Sequence, residues 1–179
     1  GQYFSCVSRL GHDKDIDTVL RAFEKFWVSE NRPDVKLYIV GGGETENELK
    51  AFAGKLQSGK NIIFTGKQPN PFGYMQGAIA HILSSYNEGL PTVLIEAAAV
   101  GTLNISSNCK SGPAEILMNG RAGVLFEPGN ADELAQIMSD VYAKRIDADT
   151  MIANGTAGLS RFTPDSIIPQ ITKLIKGVK

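Results

Sequence analysis

Cysteine and histidine are scarce. Cys6, Cys109, His12 and His81 are all the chain has, and no two of them stand at a metal-ligand spacing. That argues against a zinc site, and two isolated thiols suit a reducing cytosol better than a disulfide scaffold. No apolar run approaches the roughly 20 residues that span a bilayer. Neither sign of charge is in excess: 18 Lys and Arg against 19 Asp and Glu leave a net charge of −1, which speaks against nucleic-acid binding through bulk charge. Internal repeats, linkers and low-complexity tracts are also missing. What remains is ordinary for a folded domain, with 42% hydrophobic and 21% charged residues. A length of 179 residues predicts one domain able to bury a sizeable core. The chain opens Gly-Gln-Tyr, with no Met and no signal sequence. A core strand that starts at residue 3 leads to the expectation of a chain cut at a domain boundary.

Short apolar runs at 3–8, 35–40, 61–65, 80–85, 103–107 and 122–126 read as strands. Between them lie helical patterns. Ile16, Val19, Leu20, Phe23, Phe26 and Trp27 recur at a 3.6-residue spacing. Residues 44–57 read as a polar helix. Residues 91–100 read as an apolar one with Pro91 at its first position, and Pro113 opens another in the same way. Asn130 with Glu133 three residues on resembles a capping box. The helix it opens buries Leu134, Ile137, Met138, Val141 and Tyr142. Two more helical stretches follow. The last begins near Thr163-Pro164, is kinked or delayed by Pro169, and carries Ile167, Ile168, Ile171, Leu174 and Ile175 with Lys173, Lys176 and Lys179.

Strands alternating with helices predict a parallel sheet, and fully apolar strands predict that both its faces are covered. The expected fold is therefore α/β: a doubly wound, Rossmann-like domain of about six parallel strands with helices on both faces. Such sheets bind ligands beyond the carboxyl ends of their strands. The stretch SSYNEGLPTVLIEAAAVG at 84–101 lies at one such edge. Glu96 is the only charged residue between Glu88 and Lys110. An unpaired carboxylate in an apolar helix is costly, so Glu96 requires a partner: Arg9, Lys14 or a capping backbone group on one reading, the hydroxyls of a ligand on the other. It stands five residues past Pro91, about 7.5 Å along a helix. The free N–H groups of Leu90, Thr92 and Val93, with the helix dipole, make an anion site. A phosphate there and a ribose diol further on match a nucleotide diphosphate.

Glu88 sits beside that anion site, where two negative groups repel. It is either a solvated loop residue or one that engages neutral hydroxyls or an intervening cation. Arg9 ends the first strand and Lys14 follows it. Both are placed to neutralise a diphosphate, or else Lys14 pairs with Asp13, Asp15 or Asp17. Gly41 to Gly43 read as a tight turn rather than a phosphate cradle. Glu115 reads as first-turn helix charge, His12 as solvated, His81 as a core or interface histidine, and both cysteines as small packing groups.

Glu88 and Glu96, with seven residues between them in NEGLPTVLIEA, resemble the E-x7-E motif of the group 1 (family 4) glycosyltransferases. The resemblance extends over VSRLGHDKDIDTVLRAF, VKLYIVGGGETENELK, NIIFTGKQPNPFGYM, SSNCKSGPAEIL and GVLFEPGNADELA, collinear across residues 5–142. Ile79 stands where members often carry Asp, and Gly101-Thr102-Leu103-Asn104 where they often read Gly-x-Pro-Val. The family has two Rossmann-like domains facing each other across a cleft (the GT-B fold), and this chain is similar to the C-terminal, donor-binding one. The resemblance implies a catalytic set of Glu88, Arg9 and Lys14: the two cations contact the diphosphate and Glu88 faces the donor sugar. It also implies that Glu96 holds the ribose, that the backbone of Gly89, Leu90, Thr92 and Val93 receives the phosphates, and that Gly66 and Lys67 lie near the base.

The implied activity is sugar transfer with retention from a nucleotide diphosphate sugar, without metal or other cofactor. The SGPAEIL variant resembles enzymes that build bacterial surface polysaccharides. The implied partners are the nucleotide sugar, a glycan or lipid-linked acceptor, and an N-terminal domain preceding residue 1, with no nucleic acid. The implied setting is cytoplasmic, with the longer protein peripheral at the inner face of the membrane. A non-catalytic nucleotide-binding module stands as the alternative. A dehydrogenase-type dinucleotide domain is disfavoured, because the chain lacks that fold's glycine fingerprint and ribose acid.

Overall fold

A computed structural model describes residues 1–31 and 34–177. Lys179 lies outside the described residues. Six strands, β1 (Tyr3–Val7), β2 (Lys36–Val40), β3 (Ile62–Gly66), β4 (His81–Leu83), β5 (Asn104–Ser107) and β6 (Val124–Phe126), form one sheet in the order β3-β2-β1-β4-β5-β6. All five pairings are parallel. This is the expected Rossmann-like fold. The order reverses between β1 and β4, which is the topological switch point where such sheets open a crevice.

Among the described residues, eight helices surround the sheet: α1 (Ile16–Ser29), α2 (Glu46–Ala53), α3 (Phe72–Met75), α4 (Thr92–Ala99), α5 (Pro113–Ile116), α6 (Ala131–Tyr142), α7 (Ala148–Gly158) and α8 (Pro164–Gly177). They form two groups. The first packs α1 against α2 and α6, and the second packs α4 against α3, α5 and α7. The apolar stripe of α1 buries Ile16, Val19, Leu20, Phe23 and Phe26 fully, while Trp27 is half-buried. Phe26 is the hub of this layer. Its ring meets Phe4 of β1 at 5.4 Å and Tyr142 of α6 at 5.6 Å, both edge-on.

Several boundaries differ from expectation. The helix predicted over 44–57 is only α2, because Gly54 ends it and the chain turns into a 3-10 segment at Gln57–Asn61. Pro91 is not the first residue of α4. Its ψ of 89° keeps it outside the helix, and its carbonyl accepts the N–H of Leu94 at 3.0 Å. Pro113 does open α5. The capping box at α6 is half formed. Asn130 accepts the Glu133 N–H, but the Glu133 carboxylate takes the N–H of Glu127 at 2.9 Å instead of that of Asn130. Pro169 does not delay α8, which starts at Pro164 and runs through it. The apolar side chains of Ile168, Ile171, Leu174 and Ile175 stand exposed on that helix.

The glycines 41–43 serve close approach rather than a tight turn. A Cβ on Gly41, whose φ is +138°, would lie 1.8 Å from the Ser8 carbonyl oxygen. Only glycine lets the exit of β2 lie against that of β1, where the Leu10 N–H bonds the Gly42 carbonyl at 3.1 Å.

Candidate functional site

A cleft of about 220 Å³ opens at the switch point. Val7, Ser8 and Arg9 at the exit of β1, Lys14, Leu83 at the end of β4, and Glu88 with Leu90, Pro91, Thr92 and Val93 line it. Six site residues singled out on sequence therefore line one cleft: Arg9, Lys14, Glu88, Leu90, Thr92 and Val93. Gly89 lies between two lining residues. A larger groove, about 460 Å³, runs between α1 and α2 and contains none of the residues that the motif pattern selects.

The centre of the cleft is an ion pair. Lys14 Nζ donates to Glu88 Oε1 at 2.7 Å, and both side chains are largely buried, with 18% and 13% exposed. Lys14 also lies 3.5 Å from Asp13. The intervening cation that the sequence reading offered for Glu88 is thus in the chain itself. Glu88 Oε1 accepts a second bond, from the Ser85 hydroxyl at 2.6 Å. The other carboxylate oxygen accepts none from a described residue.

The loops that carry the pair are fastened by hydrogen bonds. Ser84 Oγ donates to the Lys14 carbonyl at 2.7 Å, and the Tyr86 N–H to that of Asp13 at 2.9 Å. On the other side, the Glu88 N–H bonds the Lys110 carbonyl at 3.0 Å and the Ser111 N–H bonds the Glu88 carbonyl at 2.8 Å. Gly112 touches this loop so closely that a Cβ there would sit 2.5 Å from the Gly89 oxygen and 2.4 Å from Pro91 Cδ.

Arg9 is exposed and held by two carboxylates. It pairs with Asp13 and, at 2.9 Å, with Glu44. The Glu44 hydrogen bond raises the Arg9 pKa. Of the acids expected around Lys14, only Asp13 reaches it. Asp17 pairs with Arg21 at 2.5 Å. Asp15 adopts a left-handed conformation before α1, and its burial raises its pKa.

Glu96 is half-buried in α4, not enclosed as an apolar helix suggested. Among the described residues no cation or donor engages its carboxylate, since Arg9 and Lys14 are committed elsewhere. No described acceptor takes the N–H of Leu90, Thr92 or Val93 either. Gly66 ends β3 with a φ of +69°, and Lys67 is exposed with its stem against Gly42. Both lie at the same sheet edge, but two strands from β1 and outside the cleft.

His81 and the two cysteines are packing residues, as expected. His81 is fully buried, with Nδ1 3.3 Å from Ser5 Oγ, and burial pushes its pKa down to about 4. Burial pushes the Cys6 thiol up to about 12. Cys109 is buried too, and His12 is exposed. Among the described residues no three His, Cys, Asp or Glu side chains form a metal-binding group, and no helix is long and apolar enough to cross a membrane. Sequence reading missed Ser85 as a partner of Glu88, and Asp13 and Glu44 as partners of Arg9. Only the Ser-x-x-Glu spacing of Ser85 and Glu88 carried any signal.

The family model for group 1 glycosyl transferases matches residues 1–157. An uncharacterized glycosyltransferase of Methanocaldococcus jannaschii is 30% identical over 97% of this chain and 49% of its own length. The lipopolysaccharide 1,6-galactosyltransferase of Salmonella typhimurium is 30% identical over 68% of this chain and 35% of its own. The chain thus spans half or less of the length of these relatives. Among solved structures, a mutant of S. aureus TarM in complex with fondaparinux, alpha-GlcNAc-glycerol and UDP superposes with a TM-score of 0.87 at 19% identity. That match covers 97% of this chain and 35% of the other.

Proposed function

The chain belongs to the group 1 glycosyl transferases, and from that premise we propose that it is the donor-binding domain of a retaining enzyme. The enzyme transfers a sugar from a nucleotide diphosphate sugar to a growing glycan in surface polysaccharide synthesis. One observation carries this reading. At the switch point, the Lys14 ammonium, the untaken N–H groups at the start of α4, and Glu88 converge on one cleft. Galactosyl transfer to lipopolysaccharide by the Salmonella relative supports the acceptor class. The UDP held by the structural neighbour supports the nucleoside diphosphate.

In this reading the phosphates lie on the backbone of 89–93, where the dipole of α4 favours negative charge. Lys14 and Arg9 neutralise the diphosphate, most strongly as it departs with the electron pair of the broken anomeric bond. This assigns charge neutralisation to side chains and a helix end, with no cofactor required. Glu96 accepts from the ribose hydroxyls, Glu88 faces the donor sugar, and Gly66 and Lys67 border the base. The acceptor must be held about 3–3.5 Å from the anomeric carbon with water excluded. We assign that task to a domain preceding residue 1, in keeping with relatives of twice this length or more.

The test is calorimetric titration of UDP and of GDP into the longer protein, with and without a chelator. Binding of one of them at micromolar affinity in both conditions is expected. Binding of neither, or loss of binding in the chelator, overturns the assignment. The domain alone is expected to bind the same nucleotide yet turn over no sugar nucleotide when assayed beside the longer protein.

A further inference from the structure

We propose that Ser85 is a positioning residue for donor-sugar recognition: it locks Glu88 so that one carboxylate oxygen is spent inside the protein and the other is presented to the sugar. The inference rests on the reading of Glu88 as the residue that faces the donor sugar. It adds a residue that neither the motif nor the cleft lining includes.

The geometry is specific. Glu88 Oε1 is doubly occupied, by Lys14 Nζ at 2.7 Å and Ser85 Oγ at 2.6 Å. Two donors on one oxygen from different directions fix the rotation of the carboxylate as well as its place. The second oxygen then has one orientation, and no described residue takes it. Lys14 by itself is a poor clamp, because an ammonium on a four-carbon stem rotates freely. The serine is the rigid half of the pair. Ser85 is fully buried, and its own carbonyl accepts the Ser107 hydroxyl at 2.6 Å, which ties it to the end of β5. A bound diphosphate draws on the Lys14 charge, since the ammonium faces the same cleft. When that happens, Ser85 is the donor that stays with Glu88. The serine therefore matters most in the loaded state.

The consequence is a separation of effects. Losing Ser85 Oγ loosens the sugar contact and leaves the diphosphate contacts in place. The test uses the full-length enzyme and the pair of probes UDP and UDP-glucose, or GDP and GDP-mannose if the guanosine nucleotide is the one bound. Ser85→Ala is expected to hold the nucleoside diphosphate within twofold of wild type. It is expected to lower kcat for sugar release from the nucleotide sugar about 10- to 100-fold, the size of a hydrogen bond to a charged group. Ser85→Thr, which keeps the hydroxyl, is expected to restore kcat to within a few-fold. In a Glu88→Ala background, Ser85→Ala is expected to add nothing, because the two act as a unit.

Wild-type kcat in a folded Ser85→Ala overturns the proposal. So does an undiminished Ser85→Ala effect in the Glu88→Ala background, which would place the serine's role elsewhere. If Glu88→Ala itself leaves kcat unchanged, the donor-sugar reading of Glu88 fails, and the proposal fails with it in a distinguishable way. If Ser85→Ala does not fold, Ser85→Thr and Ser85→Cys carry the comparison. Retained kcat in Cys, a weak donor, overturns the proposal, and loss in Cys but not in Thr supports it.

Discussion

Lys14 and Glu88 are 74 residues apart in sequence and 2.7 Å apart in space. In the proposed reading, their pairing turns an acid that would repel a diphosphate into part of the site that receives one, and it divides the labour of Lys14 between holding Glu88 and meeting the ligand. Variants separate the two tasks.

Lys14→Met leaves Glu88 largely buried without its counter-charge. The cost lies between that of a surface pair and that of a buried one, about 2 kcal/mol. The expected result is a melting temperature several degrees lower and nucleoside diphosphate binding weakened at least tenfold. The double variant Lys14→Met, Glu88→Met is expected to recover stability but not binding. Differential scanning calorimetry and titration of the same samples check both halves. A double variant no more stable than the single one contradicts this view of the pair.

Arg9 is held by Asp13 and Glu44 at the exposed rim, and in the proposed reading a diphosphate competes with both. Exposed pairs contribute roughly 0.2–1 kcal/mol. Glu44→Gln therefore removes one of the two competing carboxylates at little cost, and diphosphate affinity is expected to rise up to about fivefold at low salt, converging with wild type at high salt. Titration at two ionic strengths decides it. Weaker binding in Glu44→Gln would show that Glu44 serves the ligand rather than competing with it.

Glu96 has no partner among the described residues, so removing it breaks nothing in the free protein. Glu96→Ala is expected to keep the melting temperature within a degree or two. Nucleotide affinity is expected to fall by the roughly 1.5–3 kcal/mol of a charge-assisted hydrogen bond, while affinity for inorganic pyrophosphate, which has no ribose, is unchanged. Equal losses for nucleotide and pyrophosphate contradict the ribose role.

His81 sets an acid limit on stability. Its pKa falls from about 6.5 when unfolded to about 4 when buried. Between those values the unfolded chain binds a proton that the native chain does not, so stability rises with pH there and is lost as pH falls below 6.5. The slope approaches 1.4 kcal/mol per pH unit. Urea denaturation at pH 7.5 and pH 5.5 is expected to show a loss of about 1 kcal/mol or more that His81→Asn removes. A wild-type midpoint that does not move, or a variant that moves equally, rules the histidine out as the cause.

Local physics made the elements legible. A 3.6-residue apolar period needs only its own window, so Ile16 to Phe26 announced α1, and short apolar runs, those of β2 and β3 closed by glycine, announced the strands. Their alternation by itself placed Arg9, Lys14 and Glu88 at one sheet edge, because parallel strands put every βα loop on the same side. Helix ends were less legible. Gly54 and the ψ of Pro91 trimmed α2 and α4, and such trimming depends on neighbours beyond the window.

The tertiary structure alone decided which charges meet. Coulomb and hydrogen-bond energies depend on distance in space, and sequence separation carries no such distance. Asp13, Asp15 and Asp17 are nearer to Lys14 along the chain than Glu88 is, yet only Asp13 and Glu88 reach it, while Asp17 turns along α1 to Arg21. Glu44 reaches Arg9 because Gly41 lets two loops touch. Ser85 found Glu88 because a tight backbone course, pinned to Lys110 and Ser111, folds the loop back on itself. The residue types of the site were written in the chain, and their pairing was fixed by where the strand order sets their loops in space.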